Sequence, residues 1–281
     1  MSHNRLDYMD FLKTENFPLF WCGGCGNGAV LGAIVRSFAA LGYTKENTVV
    51  VTGIGCWGKA DDYVTTNSFH GTHGRALAFA TGIKLAKPQL NVIVLMGDGD
   101  GTTIGGNHLI HAARRNVDLT AVIVNNFNYG MTGGQYSGTT PENSITTTSR
   151  YGHIEASFDI CNLVKAAGAP FVARSATDNP LEMENLISEG LNKKGFSFVE
   201  IIAPCPTHFG RSNGMPNAAD LMLWVKKRSV SAAKAKILSE AELTDKLVMG
   251  KIIDIESEDY GFKYQKIIET MPIAPTQRTG L

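Results

Sequence analysis

The chain has no apolar run approaching the roughly 18 residues that cross a bilayer, so it reads as having no helical membrane anchor. Neither charge is in excess: 26 Lys and Arg stand against 26 Asp and Glu, and no general field draws the protein to nucleic acid or anionic lipid. Cysteine is scarce. Five residues, an odd number, are too scattered for a disulfide framework; in a reducing compartment such thiols are metal ligands, reactive groups or core residues. Repeats and low-complexity segments are missing. The N-terminal stretch MSHNRLDYMDFLKTENFP is polar and broken by Pro18, unlike a secretory leader, which leads us to expect a cytoplasmic protein.

What is present is a globular composition, 43% hydrophobic, with 30 glycines concentrated in loops beside apolar runs. Apolar stretches at 48–52, 91–96, 119–124 and 197–202 predict buried strands, with a short one near 170–173. Amphipathic stretches at 26–41, 74–86, 105–115, 157–167 and 181–192 predict helices. Continuous apolar strands between amphipathic helices imply an α/β, doubly wound, mostly parallel sheet covered on both faces. Right-handed crossovers place all strand C-termini on one edge. Three distant loops, Gly53–Cys56, Gly97–Gly101 and Asn125–Gly130, should therefore be neighbours. Residues 1–214 read as the main domain and 215–281 as a polar, helical tail that wraps a partner or the domain itself.

The sharpest signal is Gly97-Asp98-Gly99, separated by 25 residues from Asn125-Asn126, each half following an apolar run. The interval holds one helix and one strand, so both loops can reach one ion. A Mg²⁺ ion takes near-octahedral oxygen ligands. Asp98 can give a carboxylate, Asn126 an amide oxygen and Asn128 its carbonyl, leaving positions for a diphosphate. The run Gly101–Gly106 leads into a helix whose amides can face phosphate. Singly, each half reads equally as a capping Asp or a turn Asn. A dinucleotide site is the nearest rival, but GDGDGTTIGG is not a clean GxGxxG.

A second constellation is Cys22-Gly-Gly-Cys25, with Cys56 at one strand end and Cys205 past another. Four thiolates from three loops suit a [4Fe–4S] cluster or a Cys₄ zinc, and the CxxC alone suits redox chemistry. Their spread along a sheet edge favours iron. Cys161, on an apolar helix face, reads as core. His70 and His73 either reach a diphosphate or close a capping loop; Arg211 and Lys59 are either substrate ligands or surface residues.

The segments WCGGCGNG, GIGCWGK, SFHGTHGRALAFATGIKLAKP, GDGDGTTIGGNHLIHAARRN, NNFNYGMTGGQYSGTTP and PCPTHFGR, spanning about residues 17–212, resemble the β subunit of 2-oxoacid:ferredoxin oxidoreductases. The resemblance implies a thiamine-diphosphate fold and CoA-dependent oxidative decarboxylation of a 2-oxoacid, with electrons passing through a [4Fe–4S] cluster to ferredoxin. It implies Mg²⁺ on Asp98, Asn126 and the Asn128 carbonyl, and the cluster on Cys22, Cys25, Cys56 and Cys205. Cofactor contacts fall on Ile54, Gly55, Cys56, His73, Gly97, Asp98, Gly99, Asp100, Asn126, Asn128, Gly130, Met131 and Thr132, with His73 and Asp98 as catalytic residues. Partners implied are an α subunit carrying the pyrimidine-side glutamate, small ferredoxin-like and γ subunits, and ferredoxin. Two positions depart from the family pattern. Trp57 stands where Ser is common and is expected to narrow the pocket or shield the cluster; Asn128 stands where an aliphatic residue is usual. The contexts Tyr151-Gly152-His153-Ile154-Glu155 and Pro206–Arg211 look closest to 2-oxoglutarate enzymes, with pyruvate and other 2-oxoacids as alternatives. A non-redox thiamine enzyme half and a non-catalytic metal-holding assembly subunit are the rival functions.

Overall fold

The structure, a computed structural model, describes residues 7–271. The first residues of the polar N-terminal stretch and the end of the tail, 272–281, lie outside the described residues.

The elements follow in the order α1 (Asn27–Leu41), β1 (Thr48–Thr52), β2 (Asn67–His70), α2 (Ala76–Ala86), β3 (Asn91–Gly97), α3 (Gly106–Arg115), β4 (Thr120–Asn125), α4 (Ile160–Ala166), β5 (Phe171–Ala176), α5 (Pro180–Asn192) and β6 (Ser197–Ile202). After these come α6 (Ala218–Arg228), β7 (Ser229–Ser231), α7 (Ala232–Ala235), α8 (Glu240–Leu243), β8 (Leu247–Asp254) and α9 (Tyr260–Thr270). The eight strands form one sheet in the order β2-β1-β3-β4-β6-β5-β8-β7. Pairs from β2 to β5 are parallel, β8 runs antiparallel to β5, and β7 is parallel to β8.

Alternation along the strands divides the core into two layers. Val50, Leu95, Val124 and Ile201 face α1 and α5, where Val30, Ile34, Phe38, Met183 and Ile187 meet them. Val49, Val51, Val94, Ile123 and Phe198 face α2, α3 and α4 through Leu77, Leu109, Ala113 and Ile160. Helix ends carry the expected stops. Gly42 closes α1 at φ +70°, and Asn116 closes α3 at φ +51° beside Arg114 and Arg115, cations suited to the helix dipole. Asn179 caps α5 by accepting the Glu182 amide, with Pro180 opening the helix.

Two expectations need correcting. The loop before α2 contains a strand, β2, whose four residues are all exposed and polar enough to hide it. The segment 215–271 is not simply helical: β8 joins the sheet beside β5, and Leu221, Val225 and Met249 pack on Phe127, Cys205 and Phe209 at the strand ends. Among the described residues no helix is long and apolar enough to cross a membrane.

Candidate active site

The three loops converge at the C-terminal edge of the sheet. β1 and β3 are neighbours, yet the chain leaves β1 for β2 on one side and returns to β3 on the other. A crevice therefore opens between their C-termini, where doubly wound sheets take ligands. Gly53, just past β1, lies so close to Asp100 that a methyl group there would collide with the carboxylate. Gly55 follows at φ +116°, a conformation that favours glycine. π-helical turns over Gly99–Ile104 and Pro206–Gly210 widen the backbone after β3 and β6.

Asp98 is 1% exposed. Its Oδ1 accepts the Asn126 amide at 3.3 Å, and its Oδ2 accepts the hydroxyls of Ser137 at 2.5 Å and Thr139 at 2.6 Å. Burial pushes this carboxyl up from the usual carboxylate range, against the pull of those three donors. A carboxylate so desolvated gains most from a divalent cation. Asn126 accepts the Asn128 amide through its side-chain oxygen at 3.1 Å. Asn128 is buried, and both side-chain amide atoms lack a partner. Between them Phe127 sits at φ +64°. A left-handed phenylalanine costs about 1–3 kcal/mol, and its ring is pinned by Phe209 and Trp224 at centroid distances of 5.4 and 5.7 Å. The strain turns the loop so that its two flanking Asn residues lie beside Asp98 and Gly130.

His73 packs edge-on against Tyr129, and its Nδ1 lies 2.5 Å from Asp100 Oδ1, which also accepts the Gly74 amide at 2.6 Å. Asp100 Oδ2 is buried without a partner. His70, by contrast, is engaged by Thr52 at 2.9 Å and Asp61 at 3.2 Å. Lys59 pairs with Asp62, and Arg211 is exposed. Ile54 and Met131 are exposed at the rim, and the Thr132 hydroxyl donates to Gln135 at 2.6 Å.

Cys22, Cys25, Cys56 and Cys205 line one open-sided cavity of about 80 Å³, together with Trp21, Asn27, Asn126, Gly130 and His208. Cys25 stands just before α1. Burial raises its thiol, the Asn27 amide at the start of α1 opposes that rise, and Cys22 and Cys205 add to it. Cys56 is pushed up to about 11 by burial, then by Cys205, Cys22 and Cys25. Thiols that resist ionisation side by side become thiolates only when a cationic centre carries their charge. Cys161 is fully buried in the core, where desolvation keeps it protonated. Among the described residues, no three of His, Cys, Asp and Glu converge as ligands of one metal ion.

The cysteine cavity abuts the Asp98 crevice. The Cys205 amide donates to the Asn126 carbonyl at 3.1 Å. A Cβ on Gly130 would stand 3.5 Å from Asn128 Oδ1, 3.6 Å from Asn126 Nδ2 and 3.7 Å from Cys205 Sγ.

The model of the thiamine pyrophosphate enzyme C-terminal TPP-binding domain matches residues 48–201. The chain is 44% identical, over 96% of its length and 98% of the relative's, to the 2-oxoglutarate synthase subunit KorB of Methanocaldococcus jannaschii. It is 55% identical to the Archaeoglobus fulgidus KorB over 73% of this chain and 76% of that one. The chain belongs to the β-subunit family of 2-oxoacid:ferredoxin oxidoreductases. A solved 2-oxoglutarate:ferredoxin oxidoreductase from Magnetococcus marinus, with 2-oxoglutarate, coenzyme A and succinyl-CoA bound, superposes with a TM-score of 0.84 at 30% identity, covering 95% of this chain and 91% of that one.

Within this family frame, Trp57 is a correction. It is 2% exposed in the core, its indole N–H donates to the Val122 carbonyl at 3.4 Å, and it does not line the cysteine cavity. Trp21 lines it instead, tilted against Trp57 at a ring-centroid distance of 5.7 Å and donating to the Cys56 carbonyl at 2.6 Å. Sequence reasoning missed Ser137 and Thr139, because hydroxyl residues in a polar loop carry no signal of their own.

The raised Cys56 thiol has a measurable consequence. In metal-free protein its alkylation at pH 8 is expected to run roughly 10-fold slower than that of a thiol titrating near 9, because the ~100-fold smaller thiolate fraction is partly offset by the greater nucleophilicity of a more basic thiolate. The rate should climb with pH and level off near pH 11. Ordinary reactivity at pH 8, read by mass spectrometry of the labelled peptide, would contradict the geometry.

Proposed function

We propose that this chain is the catalytic β subunit of a 2-oxoacid:ferredoxin oxidoreductase, that it carries out CoA-dependent oxidative decarboxylation, and that its substrate is 2-oxoglutarate. The observation that carries the reading is the contact between the two constellations: the thiol cavity touches the Asn126–Gly130 loop directly. A cofactor seated in the Asp98 crevice would lie next to the thiols, and a centre held by them would supply electron transfer there.

Asp98, the Asn126 side-chain oxygen and the Asn128 carbonyl would hold Mg²⁺, and the ion would supply the charge that neutralises a bound diphosphate. Ile54, Gly55, Gly97, Gly99, Asp100, Gly130, Met131 and Thr132 line the cofactor's approach. When bound, thiamine diphosphate supplies the carbon nucleophile and electron sink that allow the oxoacid to lose CO₂. Asp100 fixes His73 through Nδ1, leaving Nε2 free to face the reacting groups. Cys22, Cys25, Cys56 and Cys205 hold a [4Fe–4S] cluster. Four thiols from three loops around one cavity, spread along the sheet edge, favour an iron–sulfur centre of the kind thiolates hold. An α subunit supplies the glutamate that activates the pyrimidine, a ferredoxin-like subunit or ferredoxin takes the electrons, and the complex works in the cytoplasm. Residues 7–214 form the cofactor domain, and the described part of the extension, 215–271, braces it through β8 and α6.

The test is anaerobic purification of the complex. About four irons and four sulfides per β chain are expected beyond those of any ferredoxin-like subunit, with absorbance near ~400 nm. Viologen reduction should require coenzyme A and be fastest with 2-oxoglutarate in a panel of 2-oxoacids. One zinc per chain with no visible absorbance would overturn the redox assignment, and a preference for pyruvate would overturn the substrate.

A further inference from the structure

Behind the cofactor loop lies a buried ion pair that the reaction above does not use. Arg174 on β5 and Glu200 on β6 are register partners, 4% and 1% exposed. Nε of Arg174 donates to Glu200 Oε2 at 2.6 Å, and its terminal nitrogens donate to Asp159 Oδ1 at 2.6 Å and to the Val248 carbonyl of β8 at 3.3 Å. The Cys161 thiol donates to the same Glu200 oxygen at 3.3 Å. Arg174 and Cys161 hold Glu200 through Oε2, and the Asp159 and Val248 contacts hold Arg174.

The other oxygen of Glu200, Oε1, points toward the cofactor loop and accepts from Asn125 Nδ2 at 2.7 Å. A carboxylate accepts and cannot donate. It therefore decides which way the Asn125 amide lies: nitrogen toward Glu200, oxygen toward the loop. There Asn125 Oδ1 accepts the Phe127 amide at 3.1 Å, and it lies 3.1 Å from the Thr139 hydroxyl. Phe127 is the residue in left-handed conformation between Asn126 and Asn128. Thr139 has one hydroxyl proton and stands closer to Asp98, at 2.6 Å. Were the Asn125 amide reversed, its nitrogen would face the Phe127 N–H, donor against donor, and the strained turn would lose its acceptor.

We propose that Glu200, anchored by Arg174, is a positioning residue for thiamine-diphosphate and Mg²⁺ binding: it fixes the Asn125 amide so that the Asn126–Asn128 turn is held in its binding conformation beside Asp98. The role rests on the reading of Asp98 as the cation ligand. It also joins the C-terminal extension to the site, since the Val248 carbonyl of β8 is one of the groups that hold Arg174.

The experiment measures thiamine-diphosphate affinity at saturating Mg²⁺ in the purified complex, with iron content and thermal unfolding in parallel. Glu200→Gln keeps the shape but can turn a donor toward Asn125. Affinity is expected to fall about 10-fold, the lower end of what partners touching a metal ligand cost, because Glu200 acts through Asn125, with iron unchanged. Asn125→Asp alone sets two carboxylates face to face and should lose at least as much. The two changes combined restore one donor and one acceptor across the contact and keep an oxygen for Phe127, so affinity should recover to within a few-fold of the parent. A merely structural role would shift the unfolding temperature without this reciprocal rescue. Parent-like affinity in Glu200→Gln, or a double variant no better than the singles, overturns the proposal. If Glu200→Gln does not accumulate as folded protein, Arg174→Lys is measured instead: weakened cofactor affinity with full iron supports the role, and parent affinity overturns it. Asp98→Ala separates the two readings. If it too binds the cofactor normally, the assignment of the cation site fails; if it alone loses binding, only the positioning role fails.

Discussion

Asp98→Ala should abolish retention of thiamine diphosphate while leaving the iron content of the complex intact. The carboxylate is buried, accepts three hydrogen bonds and stands at the crevice between β1 and β3. Alanine removes the one anionic donor of the proposed Mg²⁺ set, so the loss should exceed the ~10–100-fold typical of residues that only support a ligand. The fold should survive. Ser137 and Thr139 lose a shared acceptor but lie 3.0 Å apart and can bond each other, and Thr140 stands 3.4 Å from Ser137. The residual cost, about 1–3 kcal/mol for an imperfectly satisfied buried group, is below the ~5–15 kcal/mol stability of a typical domain. The check is cofactor content after gel filtration, with iron assayed on the same sample. Loss of cofactor and iron together would show that Asp98 maintains the fold instead of holding a cation.

Cys205→Ser should give the reciprocal result: about four irons per β chain lost with their share of the visible absorbance, viologen reduction down to background, and thiamine-diphosphate affinity kept. Serine preserves the backbone bonds of this position, the amide to the Asn126 carbonyl and the carbonyl that accepts the Gly210 amide at 2.8 Å. It replaces a soft sulfur by a hard oxygen that binds iron poorly. Because the Cys205 amide holds the Asn126 carbonyl, a change to a residue that displaces this backbone would disturb both centres; serine separates them. Full iron and full viologen reduction in Cys205→Ser would remove this cysteine from the electron path. A collapse of cofactor affinity would mean that the two constellations form one folding unit.

The apolar strands and the loops that follow them were legible because each strand is buried on both faces and its sequence is continuously apolar. The convergence of Gly53–Cys56, Gly97–Gly101 and Asn125–Gly130 followed from parallel topology alone. β2 was not legible: Asn67–His70 is a polar edge strand with no buried face to leave a pattern. β8 was hidden for a related reason, since Leu247–Asp254 is mostly half-buried and broken by Gly250 and Lys251. At the level of sequence Trp57 is only a bulky ring where the family pattern has Ser, and the short helical turn that starts there swings that ring into the core. Arg174 and Glu200 did leave a trace. Each is a charged residue inside an otherwise apolar strand, of opposite sign, and only the register shows that they face each other.

Both margins of the sheet are short. β2 offers four residues at one side and β7 three at the other. A neighbouring chain laid along either margin could form few main-chain bonds, the situation by which natural sheets discourage uncontrolled growth. Contacts with other polypeptides would then have to be made by side chains on loops and helices, so the choice of neighbour would be written in residue identity and not in backbone pairing.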